Sequence, residues 1–134
     1  MKDLMKTNVY DVETEIIVVG TCLKVMQPKA YEQLQKMKHP IYEVCLENTH
    51  VNMVITKLLG MLSRKKITKI IFATVDKSPH CVQLHYIDGE IKKVMPNLDL
   101  KVIHYVACDE GLLEISSDVI KKSKSLACLQ NECK

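Results

Sequence analysis

Ser78-Pro79-His80-Cys81 is the stretch of this 134-residue chain best suited to chemistry. Serine caps helices and proline opens them, so Ser78 and Pro79 predict a helix start with Cys81 as its third residue. The free backbone N–H groups of a first turn, and the dipole behind them, favour an anion there and so lower a thiol's pKa. His80 is adjacent, and His85 lies one turn further along the same face. An imidazolium beside a thiol stabilises the thiolate further. Asp76, just upstream, can orient a histidine. Cys81, His80 and Asp76 are therefore the candidate catalytic set, with Cys81 as nucleophile, persulfide carrier or redox centre. The plain alternative is that Cys81 packs inward as a small hydrophobe and His80 is merely exposed.

Three other turns of the same kind follow apolar runs: Gly20-Thr21-Cys22, Asn48-Thr49-His50 and Cys108-Asp109-Glu110. Each carries a cysteine or a histidine. Cys22, Cys81 and Cys108 with His50 (or His80) make up a Cys3His set, which suits Zn2+ or an iron–sulfur cluster. No Cys-x-x-Cys pair supports it, so scattered thiols without metal are the plainer reading. Gly20-Thr21-Cys22 stands where dinucleotide folds place a phosphate loop, but it lacks the G-x-G-x-x-G pattern. A smaller anion near Gly20, Thr21, Ser78 and Asp109 is the corresponding ligand-site expectation. Asp76, Asp109 and Glu110 add carboxylates, which turns and caps also use routinely.

Of the remaining candidates, Cys45 reads as a core residue inside a strand and Cys128 as a core residue on the apolar side of a helix. Cys133 lies in the C-terminal tail. His39 reads as a partner of a helix C-terminus, and His104 as a hydrogen-bonded core histidine. The seven methionines do not cluster as a metal box would.

The elements that must position these residues are legible from hydrophobic periodicity. Ile16-Ile17-Val18-Val19, closed by Gly20, is a continuous β-branched run. Such runs suit strands covered on both faces of a parallel sheet. Residues 41–46, 67–75 and 100–107 are three more strand candidates. A helix from Pro28 to His39 separates the first pair, because Pro40 ends it. A second helix, capped by Asn48 or Thr49, carries Val51, Val54, Ile55, Leu58, Leu59 and Leu62 on one stripe. The basic triplet Arg64-Lys65-Lys66 offsets its dipole.

Residues 78–95 admit two patterns. Asp88-Gly89 is a hairpin signal, and Val82, Leu84 and Tyr86 alternate. Leu84, Ile87, Ile91 and Val94 keep helical spacing across Gly89, and a mid-helix glycine costs only ~1 kcal/mol. The spacing predicts a helix. A last helix covers 116–129, and residues 1–13 form an arm or a short edge element.

Strands alternating with helices predict one α/β domain over residues 1–134. Its expected form is a three-layer, mostly parallel sheet of about four strands with helices on both faces, of flavodoxin/Rossmann-like type. All four turns then share the carboxyl edge, where open α/β sheets bind ligands.

Composition narrows the function classes. Apolar residues make up 47% and charged residues 26%, as in ordinary globular proteins. No apolar run reaches the ~18 residues of a membrane span, and the start resembles no signal peptide. A cytoplasmic protein without a membrane partner is expected. Arg64 is the only arginine, and the aromatics are five tyrosines and one phenylalanine, so nucleic-acid binding is not indicated.

The leading expectation is a small thiol protein with a redox or sulfur-transfer role. The first alternative is a non-catalytic module of a redox complex that holds a metal, an iron–sulfur cluster or a small anion. The second is an interaction or oligomerisation domain with structural cysteines, which would take a protein partner or a second copy of itself.

Overall fold

The computed structural model describes residues 1–132 and shows a six-stranded sheet flanked by helices. The strands are β1 (Lys2–Asp3), β2 (Ile16–Gly20), β3 (Ile41–Val44), β4 (Lys69–Val75), β5 (Lys101–Cys108) and β6 (Gly111–Ile115). Their order across the sheet is β1-β3-β2-β4-β5-β6. All neighbours are parallel except β5 and β6. The helices are α1 (Leu23–Met26), α2 (Pro28–Gln35), α3 (Val51–Leu62), α4 (Gln83–Val94), α5 (Ser117–Ser123) and α6 (Leu126–Glu132).

Alternation along the central strands splits the core in two. Ile16, Val18, Ile70 and Phe72 face α3 and α4, where they meet Val54, Leu58, Leu84, Ile87 and Ile91. Ile17, Val19, Ile71 and Ala73 face the other way, toward Leu23, Ala30, Tyr31 and Leu34 of α1 and α2. Every residue of β2 is buried, which is why its sequence is continuously apolar rather than alternating. The three-layer, mostly parallel arrangement is thus the expected one.

The sheet has two strands beyond the four expected. β1 is a two-residue edge beside β3, from the segment expected to be an arm or edge element. β6 is a new antiparallel edge that pairs Cys108 with Gly111 and His104 with Ile115. Its sequence, Gly-Leu-Leu-Glu-Ile, has no β-branched run, and only Gly111 is buried. The turn Asp109-Glu110 is therefore a hairpin tip rather than a strand-to-helix turn. Gly111 closes it with φ 111°, a left-handed value that glycine adopts without strain. Leu112 N–H donates to Gln33 Oε1 at 2.9 Å and ties the new edge to α2.

Other boundaries shift for local reasons. β3 ends at Val44 because Cys45 O accepts from both Asn48 and Thr49 N–H, which turns the chain. Cys45 is consequently a half-buried loop residue at the carboxyl edge, not a strand core residue. α2 stops at Gln35, short of His39, and Lys38 adopts φ 61°. His39 instead pairs with Glu15 at 3.3 Å. His50, not Asn48 or Thr49, occupies the cap position of α3, without a side-chain capping bond. The expected helix over 116–129 is two helices, α5 and α6. Residues 83–94 are helical, so the Asp88-Gly89 hairpin does not form. Cys133 lies outside the described residues. Among the described residues no helix is long and apolar enough to cross a membrane.

Candidate functional site

From β2 the chain crosses over the α1–α2 face to reach β3 on one side. From β3 it returns over the α3 face to β4 on the other side of β2. The carboxyl ends of β2 and β4 therefore splay their loops apart, and this switch point is where open α/β sheets leave a crevice. A cavity of about 790 Å3 lies there. Cys22, Asp76, Ser78, His80, Cys108 and Asp109 all line it. Six of the residues singled out from sequence are thus gathered at one edge.

Cys81 does not line this cavity. It is buried, and its Sγ lies only 2.9 Å from where a Cβ on Gly20 would stand. Gly20 is small because the Cys81 thiol occupies the space above it. Gly20→Ala is expected to cost about 1–2 kcal/mol by overpacking. In a Cys81→Ala background the same change should cost markedly less, because neighbouring substitutions couple. Chemical denaturation of the four proteins measures this, and an unchanged cost in that background would show that the contact is not the cause.

The turn that carries Cys81 is tighter than an α-helical first turn. Cys81 N–H donates to Ser78 Oγ at 3.4 Å, so Ser78 closes this turn, but the cap position of α4 is Val82, which makes no side-chain capping bond. Leu84 and His85 N–H then donate three residues back, to Cys81 and Val82, and the α-helix proper begins only at Gln83. Cys81 lies just ahead of α4 rather than in its first turn. His80 is exposed and its Nε2 stands 3.2 Å from Glu47 Oε1, so a carboxylate does meet this histidine, but it is Glu47 rather than Asp76. Thr21 continues the strand ladder by donating its N–H to Val44 O at 3.1 Å.

Cys22 is the exposed thiol of the group. Its pKa is raised, first by partial desolvation and then by the neighbouring Cys81, Cys45 and Glu47. Those causes place Cys81 and Cys45, from two other loops, within electrostatic reach of Cys22. Cys45 and Glu47 were not singled out as site residues by sequence. The polar turn after residue 46 was the available signal, since a strand ending one or two residues early puts Cys45 on the edge.

The four expected metal ligands do not assemble. Among the described residues no group of three or more His, Cys, Asp or Glu is placed to hold a metal ion. Cys81 is packed under Gly20, and Cys108 directs its thiol to Glu110 Oε2 and Gly111 O of its own hairpin, at 3.5 and 3.4 Å. His50 is exposed at the start of α3 and does not line the cavity with Cys22 and Cys108. The cavity wall also disfavours a small anion. Glu47, Asp76, Asp109 and Glu110 outnumber Lys77 and His80. Asp109 in turn accepts from Gln27 Nε2 at 3.4 Å.

A second polar constellation is buried between α4 and the sheet. Thr74 Oγ1 lies 2.7 Å from His85 Nε2. His85 Nδ1 lies 2.9 Å from His104 Nδ1, and His104 Nε2 lies 3.1 Å from Asp88 Oδ2. Lys92 Nζ ends the row, 3.2 Å from Asp88 Oδ1 and donating to Oδ2 at 3.3 Å. Thr74 and Phe72 share one face of β4, and His104 pairs with Phe72 in the ladder and stacks on its ring at 5.7 Å. His85 and Asp88, three residues apart, share the face of α4 that covers them. Burial and the His104 ring drive the His85 pKa down to about 3. Burial raises Asp88, but hydrogen bonds from His104 and Lys92 outweigh it and the net shift is downward. His104 is a hydrogen-bonded core histidine, as its strand position implied.

Comparison with known proteins adds a family and no activity. A family model described as a Rossmann-like domain matches residues 12–133. No curated protein and no solved structure matches the chain.

Proposed function

The chain belongs to the Rossmann-like domain family, and from that premise we propose that its switch-point crevice is a thiol–disulfide exchange site. The observation that supports this best is the grouping of Cys22, Cys45 and Cys81 at the carboxyl ends of adjacent strands, with Cys22 open to solvent and Cys81 buried behind it. An exposed thiol beside a sheltered one suits a two-step exchange. Cys22 attacks a disulfide-bearing substrate as thiolate, forming a mixed disulfide and releasing one thiol. Cys81 then attacks the Cys22 sulfur, forming an intramolecular disulfide and releasing the second thiol. Two protein thiols and one disulfide become one protein disulfide and two thiols, so atoms and electrons balance. The raised pKa of Cys22 holds back its thiolate, so the first step is slow near neutral pH and speeds up as pH rises. His80, held by Glu47 at the cavity wall, is placed to take up or return protons at the mouth.

The test uses oxidised glutathione as the probe disulfide. The expected product has lost two thiols, carries no glutathione and shows a Cys22–Cys81 crosslink on peptide mapping that dithiothreitol reverses. Cys22→Ser should abolish the crosslink, and Cys81→Ser should leave glutathione on Cys22. Glutathione spread over Cys22, Cys108 and Cys128 with no internal crosslink would overturn the proposal.

A further inference from the structure

The buried row from Thr74 to Asp88 has a direction that follows from proton counting. A carboxylate only accepts, so His104 Nε2 must donate its N–H to Asp88 Oδ2. An uncharged imidazole carries a single N–H, so His104 Nδ1 is bare and accepts from His85 Nδ1–H. His85 Nε2 is then bare as well and accepts the Thr74 hydroxyl proton. With both rings uncharged no other assignment satisfies every contact. In that uncharged state the Thr74 proton is committed inward, and only lone pairs remain for anything on its other side.

What lies on that side is a cavity of about 650 Å3, within the range of small-molecule sites. Thr74 and His85 both line it, and its body is apolar, supplied by Val106, Leu113, Ile115 and Ile120 of β5, β6 and α5. It shares the Asp76–Pro79 loop and Cys108 with the thiol crevice but does not depend on that crevice's chemistry.

We propose that this cavity binds a small apolar molecule carrying one N–H or O–H donor, which Thr74 accepts. With both rings uncharged, the row His85–His104–Asp88 makes Thr74 an acceptor and not a donor. Thr74 is the specificity residue, and His85, His104 and Asp88 are positioning residues that act through it. A ligand of the same shape with an acceptor in place of the donor meets the Thr74 lone pairs and is rejected.

Indole and benzofuran test this, because one has an N–H where the other has a ring oxygen. Titration of each into the full chain at pH 8, followed by NMR, should shift the methyl signals of Leu113, Val119 and Ile120. Indole should bind about tenfold more tightly, the difference of one hydrogen bond. Thr74→Val should erase that preference and Thr74→Ser should keep it. A saturable indole response absent from those methyls, equal affinities in the native protein, or a preference surviving in Thr74→Val would each overturn the proposal. The direction of the row is tested without any variant. Nitrogen-15 spectra of the native histidines at pH 8 should show N–H at His85 Nδ1 and at His104 Nε2. The opposite tautomers would refute it.

Discussion

Acidification from pH 7 to pH 4 is expected to remove about 3 kcal/mol of folding stability through His85 alone. The folded chain holds this imidazole at a pKa of about 3, because burial and the His104 ring both oppose its charge. An unfolded chain releases it to the ordinary value of about 6.5. Between those two values the unfolded state binds more protons than the folded one, so stability falls as pH falls. Above about 6.5 neither state is protonated and the contribution is flat. Below about 3 both are protonated and no more is lost through this residue. Asp88 works in the same sense at lower pH, since its folded pKa lies below the unfolded value and its contribution fades as pH falls through the folded one. Urea denaturation across this range gives the slope of stability with pH. In His85→Gln the slope should fall by about one proton, or ~1.4 kcal/mol per pH unit. An identical slope in the variant would remove His85 as the cause.

Asp88→Ala should cost about 1.5–3 kcal/mol, the range for a hydrogen bond to a charged partner whose loss leaves a buried donor unpaired. The carboxylate is nearly enclosed and accepts from both His104 and Lys92. Asp88→Asn keeps an acceptor for His104 Nε2 and should cost well under half as much. Lys92→Ala removes the other partner of the same carboxylate. Its side chain is 63% exposed, however, and exposed ion pairs contribute at most about 1 kcal/mol. The expected order is therefore Asp88→Ala, then Asp88→Asn and Lys92→Ala together near the bottom. Thermal or urea denaturation of the three ranks them. Equal losses in Lys92→Ala and Asp88→Ala would place the energy in the surface pair, not in the buried row.

The central strands were legible because burial on both faces leaves a direct mark. Ile16 to Val19 can be apolar without interruption only where helices cover the sheet twice over. The helical spacing of Leu84, Ile87 and Ile91 likewise outlasted the Asp88-Gly89 turn signal, because all three side chains are needed in the core. β6 was illegible for the opposite reason. An exposed edge strand buries little, and its pairing rests on backbone hydrogen bonds that side chains do not announce. The gathering of Cys22, Asp76, Ser78, His80, Cys108 and Asp109 followed from topology, since parallel strands send their turns to one edge. The Cys45 neighbourhood was missed by the one or two residues by which strand ends are commonly misplaced. The row through Thr74, His85, His104 and Asp88 joins two strands and a helix far apart in the chain. No local spacing encodes such a contact.

The two facing Nδ1 atoms of His85 and His104, 2.9 Å apart, leave room for one hydrogen between them and never two. The row is thus a line of coupled dipoles with only two settings. One extra proton on the ring pair cannot stay where it lands. Whichever ring carries the charge, His85 gains an Nε2–H that it must give to Thr74, and the Thr74 hydroxyl must swing its own hydrogen outward. The Thr74–His85 bond reverses while His104 keeps donating to Asp88, and no heavy atom needs to move. The cavity wall then presents a hydrogen where it had presented lone pairs, so the preference between donor and acceptor ligands inverts with a single protonation.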